Sequence, residues 1–284
     1  MDARNQELEA AKADFYQCLA VAFLAPMASA HANAMLNGDL TRDLADLDDE
    51  IGYGLTAQIR LLQSELDEIA DPQALLILYS QLFLAPPRKV QLNAASYLDG
   101  SFNGGTVVEL EQCYAENGVA RDEAFHDLAD HVTVQLEFIA HLYRRTAAAT
   151  VGDGGVSVPA LSVGQFITRY PERWIAPLVE DVMQVSNKEG LTCNPYRILL
   201  QMLETALQHD AEARAETLNA TERREHALAI ARQRRAERAV SAEEMKEIRR
   251  RLEEKGLTTD HLDQDNKDSP FAGWEAMVPP SHKR

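Results

Sequence analysis

Apolar positions recur every three to four residues along most of this chain, and alternation of period two is absent. That periodicity predicts helices laid against a common core. Residues 5–24 form the first, with Phe15, Leu19, Val21, Ala22 and Leu24 on or near one face and Pro26 ending it. Leu55 to Ile69 follows, with Ile59, Leu62, Leu66 and Ile69 in register. Asp71-Pro72 opens the next helix, the aspartate as N-cap and the proline at N1. It carries Leu75, Leu78, Tyr79, Leu82 and Phe83, and Pro86-Pro87 stop it. Residues 88–105 read as a long loop, of the kind that often carries function. Thr106 to Glu116 is a short helix closed by Asn117-Gly118. A strongly apolar run from Asp130 to Tyr143 comes next. Val163–Tyr170, Trp174–Val185 and Pro195–Gln208 complete the set. The predicted fold class is all-α, a helical bundle.

Small residues from Ala147 to Val156 read as a hinge. They divide a main helical domain (1–146) from C-terminal helices (157–210), and segment exchange across the hinge would allow a homodimer as well as a monomer. Residues 211–284 form a charged helical and flexible tail. In it Ser241 and Glu244 make a capping box, Met245, Ile248 and Leu252 a narrow stripe, and Gly256 a cap.

Charge changes the picture. Residues 1–210 hold 30 Asp and Glu against 13 Lys and Arg, while residues 211–284 hold 15 of each, so the whole net charge of −17 lies in the first part. Such a surface repels nucleic-acid phosphates and attracts a basic partner segment. The opening Met-Asp-Ala-Arg-Asn-Gln-Glu has no basic region of a secretory signal, and the apolar stretch Phe15–Met27 is too short to span a bilayer. Cys18, Cys113 and Cys193 are odd in number and form no Cys-x-x-Cys pair, which suits reduced thiols in the cytoplasm.

No phosphate-binding glycine loop and no nucleophile elbow is present. Asp127, Asp130 and His131 share one helical face, but further histidine ligands are lacking, so neither a metal nor a catalytic site is expected. Asp130-His131 remains the outstanding polar feature, since buried polar groups must be paired. Read from composition, Asp130 caps or pairs locally and His131 is a core histidine. The other reading is that the pair faces a ligand.

Several features occur together in a fixed order. They are Leu19-Ala-Val-Ala-Phe-Leu-Ala-Pro26, Tyr79-Ser-Gln-Leu82-Phe83-Leu-Ala-Pro86, Ser96-Tyr97-Leu98-Asp99 and Tyr114-Ala-Glu-Asn-Gly118. Asp130-His131 with Leu136-Glu137-Phe138, then Phe166, Trp174 and Tyr196, follow. In this the chain resembles the twin-arginine redox-enzyme chaperones of the TorD/DmsD/NarJ type over roughly residues 8–208. It departs from them at Val90–Ala95, where the family has a proline-rich stretch.

The resemblance implies a cytoplasmic chaperone, not an enzyme, without a cofactor of its own. Its partner would be an apo-molybdoenzyme catalytic subunit, bound through the twin-arginine leader and held for cofactor insertion before export. The leader-binding residues it implies are Asp130, His131 and Glu137 for the guanidiniums, and Leu82, Phe83, Ser96 and Tyr97 for the apolar part. The alternative is a helical scaffold that binds a folded partner through its tail, where Arg232, Arg234, Arg235 and Arg238 cluster.

Overall fold

The structure is a computed structural model that describes residues 3–86, 90–120, 128–148 and 161–211, with 225, 227–230, 232 and 250 beyond them. The described residues up to 232 belong to one compact unit. Among the described residues every regular element is a helix, and one isolated antiparallel bridge joins Asn93 to His131.

Helix α1 (Ala3–Ala22) lays Phe15, Leu19 and Ala22 into the core, at the spacing of one helical face. Val21 and Leu24, assigned to that face by the sequence pattern, are on the exposed side. Two helices follow that the apolar pattern did not announce, α2 (Ser29–Leu36) and α3 (Asp39–Ile51). Then come α4 (Thr56–Asp67) and α5 (Pro72–Tyr79). Asp71 caps α5 as expected, accepting from the Ala74 N–H at 2.8 Å. At Ser80 the helix loosens into a π turn (Ser80–Leu84), which rotates Leu82 and Phe83 together into the core.

The expected long loop contains a helix of its own, α6 (Ala94–Leu98). It leads to α7 (Gly105–Glu116), whose first turn is capped by Asp99. That carboxylate accepts from the Thr106 N–H at 2.8 Å and the Thr106 hydroxyl at 2.9 Å. A Cβ on Gly104 would stand 2.1 Å from the same carboxylate, so only glycine fits.

Helix α8 (Val132–Ala148) starts two residues later than the sequence reading and takes in the first two residues of the expected hinge, of which 149–156 lie outside the described residues. Among the described helices it makes the most extensive pairing, along α1. Helices α9 (Val163–Arg169), α10 (Glu172–Glu189) and α11 (Pro195–Asp210) complete the bundle. Gly190, at φ 65°, closes α10 in the left-handed conformation that glycine adopts without strain. Helix α11 is buried almost all round, with Tyr196, Leu199, Leu200, Leu203 and Leu207 inward, as a central helix must be.

Asp210, the last residue of α11, is a second centre of order. Its carboxylate accepts from Lys12 Nζ at 2.6 Å, from the Tyr16 hydroxyl at 3.1 Å and from the Tyr53 hydroxyl. Lys12 in turn lies over the rings of Tyr53 and Tyr143, 5.8 and 5.5 Å from their centroids. The side chain of Asp210 is 1% exposed, so the carboxylate persists there through these partners.

Of the tail, Ala227 and Leu228 are buried and Arg232 Nη2 meets Glu180 at 2.9 Å. The capping box at Ser241, the stripe from Met245 to Leu252 and the Gly256 cap lie outside the described residues.

Candidate functional site

Asp130 and His131 stand in the turn that enters α8, not inside the helix. Asp130 is 0% exposed. It does not cap the helix it precedes. Its Oδ2 accepts from the Ala95 N–H at 2.8 Å and its backbone oxygen from the Ala94 N–H at 3.1 Å. These are the first N–H groups of α6, which have no partner within their own helix. Asn93, at the cap position of α6, makes no cap bond itself; its Nδ2 donates to Asp130 Oδ1 at 3.0 Å. The Val132 N–H donates to Leu92 O at 2.8 Å, which fastens the same two strands of chain once more.

The knot extends across the bundle. Gln135 Nε2 donates to Asp130 O at 2.8 Å, and Trp174 Nε1 donates to Gln135 Oε1 at 3.2 Å. The Trp174 ring lies 5.7 Å from Tyr97, whose hydroxyl donates to Asp181 at 3.1 Å. Residues 91–98, α8 and α10 are therefore held by one connected polar network, which in a low-dielectric interior is stiff and costly to leave half satisfied. His131 is buried too. Its Nδ1 accepts from the Thr133 N–H at 3.3 Å and lies 2.8 Å from the Thr133 hydroxyl, which places the proton of the neutral ring on Nε2.

The remaining residues implied by the resemblance separate into two groups. Leu82 and Phe83, assigned to an apolar groove, are 1% and 3% exposed and belong to the core. Phe83 packs edge-on to Tyr79 and Tyr196, with centroids 5.0 and 5.5 Å apart, so neither side chain lines a surface groove. Ser96 and Tyr97 are half-buried on α6, and Glu137 is exposed on α8. Glu137 lines a cleft of about 520 Å³ between α7 and α8, which Asp130 does not line. Tyr114, Ala115, Val119, Val134 and Phe138 form its apolar lining, with Glu111, Glu137 and His141 as its titratable groups.

Partial desolvation against the cleft wall pushes the Glu137 carboxyl up, offset in part by a hydrogen bond from Gln17. Burial, then the nearby Arg145, holds His141 below the usual histidine value, while a bond to the Asn117 carbonyl acts the other way. Val134, Glu137 and His141 sit at i, i+3 and i+7, one stripe of α8. That spacing was readable, but nothing local marked the opposing wall on α7. Asp127 lies outside the described residues, and among those described no three His, Cys, Asp or Glu side chains are grouped to hold a metal ion. No described helix is long and apolar enough to cross a membrane.

Residues 46–180 match the family described as nitrate reductase delta subunit. Over that stretch the chain is similar to the TorD/DmsD/NarJ family of chaperones. That is a family of redox-enzyme maturation chaperones, not of catalysts, and its members bind redox-enzyme subunits. The matched stretch contains every residue named in the Asp130 knot except Asp181, and both walls of the cleft. Neither the curated proteins nor the solved structures yield a match.

Proposed function

We propose that this chaperone binds the twin-arginine leader of a molybdopterin oxidoreductase subunit in the cytoplasm and holds the apoenzyme until its cofactor is inserted. The observation that carries this reading is the family match over residues 46–180, which spans all seven leader-binding candidates. The confinement of the negative charge to residues 1–210 supports it, because a leader with adjacent guanidiniums is drawn to an acidic body.

Within this reading the seven residues act in two ways. Glu137, Ser96 and Tyr97 keep surface that a leader can touch. Asp130, His131, Leu82 and Phe83 are positioning residues. The first two hold α6 against α8, and the last two hold the π turn in the core. The test is calorimetric titration of the purified protein with a synthetic leader peptide from a co-encoded oxidoreductase. Saturable binding, weakened when Arg-Arg becomes Lys-Lys, is expected. A flat titration with every such leader would refute leader binding.

A further inference from the structure

The described lining of the cleft between α7 and α8 offers an occupant hydrogen-bond acceptors. The Tyr114 hydroxyl is spent, donating to Ala129 O at 3.0 Å. Glu111 and Glu137 present carboxylates at the rim. His141 is the informative member. Its Nε2 is buried and has no hydrogen-bond partner, and the Asn117 carbonyl lies near the ring. A neutral ring that keeps its proton on Nδ1 presents Nε2 as a bare lone pair. An unpartnered buried acceptor costs stability, and a site that binds a donor there recovers it.

The neighbouring cations of α8 are engaged elsewhere. Arg144 reaches Asp14 at 3.2 Å and Gln17 at 3.4 Å, and Arg145 donates to Asn117 O at 2.7 Å. An occupant must therefore bring several N–H donors, positive charge and an apolar stem. Guanidinium on its three-carbon chain meets all three needs, and its fork can reach acceptors on both walls; ammonium presents a single point.

We propose that the α7–α8 cleft seats an arginine side chain of an apolar peptide segment, with Glu111 and Glu137 as its carboxylate partners and His141 Nε2 as a third acceptor. Resting on the leader reading, it assigns one of the paired leader arginines to this cleft.

The experiment uses the full chain and two fluorescein-labelled probes. One is a leader-type peptide with Arg-Arg ahead of an apolar run. The other is the short acetyl-Leu-Arg-Leu amide, with a Leu-Gln-Leu control. Anisotropy is measured on wild type, on Glu111→Gln/Glu137→Gln, and on Ala115→Phe, which fills the cleft without touching charge. Circular dichroism checks that each variant is folded.

Because the carboxylates are at the rim and partly screened, the double variant is expected to weaken leader binding about tenfold, with a similar loss for Ala115→Phe. Equal leader affinity in all three proteins would overturn the cleft assignment while leaving leader binding intact. Saturable binding of Leu-Arg-Leu but not Leu-Gln-Leu or the leader would uphold the cleft and remove the leader reading. No binding of either probe would overturn both.

Discussion

Replacing Asp130 with alanine removes the carboxylate that two buried groups share in the turn before α8. The Ala95 N–H and the Asn93 amide lose a carboxylate at 2.8 and 3.0 Å, in a site with no exposure. A hydrogen bond to a charged group contributes about 1.5–3 kcal/mol, and the buried donors left behind carry their desolvation cost. The two bonds share one side chain, so a loss of about 3–5 kcal/mol is expected for Asp130→Ala. Asp130→Asn keeps the shape and one acceptor oxygen for Ala95, and the Asn93 amide can turn to present its own oxygen. That variant should lose only about 1–2 kcal/mol. With a urea slope of about 2 kcal/mol/M, the alanine midpoint falls by roughly 1.5–2.5 M and the asparagine midpoint by about 0.5–1 M.

The assay is urea unfolding followed by far-ultraviolet circular dichroism and by Trp174 fluorescence, since the indole is joined to the knot through Gln135. Leader affinity is measured on the same samples. A supporting carboxylate predicts that Asp130→Asn binds leader almost as wild type does. A carboxylate that grips leader arginine predicts at least a tenfold loss in the same variant, whatever its stability. An alanine midpoint within about 0.3 M of wild type would refute the structural role worked out above.

The same reasoning gives four further expectations. Asp210→Ala strands Lys12 and two tyrosine hydroxyls in a buried site, so unfolding free energy should fall by about 3–5 kcal/mol in a urea titration. Gly104→Ala forces the Asp99 carboxylate off the start of α7, which should cost about 1–2 kcal/mol in thermal unfolding, with Asp99→Ala giving a similar loss and the double variant little more. Burial pushes the thiols of Cys18, Cys113 and Cys193 up to about 11, so all three should react slowly with a disulfide reagent near neutral pH in native protein and rapidly in denaturant. Leader affinity should fall as pH drops from about 7 to 5. His141, faced by Glu111, Glu137, Arg144 and Arg145, is neutral at the upper end because its value is lowered, and protonation removes its lone pair and adds charge; the raised Glu137 loses its charge in the same direction. Affinity that is flat in pH, or that rises on acidification, would count against the cleft.

Most of the helices were legible because they bury one face at regular spacing, as α4, α10 and α11 do. Caps were legible where they are local: Asp71 sits three residues from the N–H it satisfies. Helix α3 was missed although Leu40 and Leu44 are a helical turn apart and buried, because six acidic residues between Asp39 and Glu50 give the segment the look of a solvated stretch. The π turn left no trace, since a one-residue loosening of the helix changes no residue type. The Asp130 knot and the Asp210 cluster were out of reach for another reason. Asp130 caps a helix 35 residues upstream, and Asp210 gathers groups 157 to 198 residues away. Local patterns can mark such a residue as an anomaly but cannot name its partner.

The anomaly itself admits a physical resolution. A polar pair at the head of an apolar helix can be retained for contact with a ligand or for fixing a neighbouring segment. Complete burial with both oxygens engaged favours the second for Asp130. Helix α8 then does two jobs on two faces. Its entering turn pins residues 91–98, and with them the orientation of Tyr97 against α10. Its outer stripe of Val134, Glu137 and His141 forms one wall of the acceptor-lined cleft. A rigid helix carrying both keeps the cleft wall fixed relative to α6, so an incoming peptide need not pay to order it. Placing the charge that meets solvent on Glu137 also leaves less desolvation to overcome than a guanidinium would meet at the fully buried Asp130.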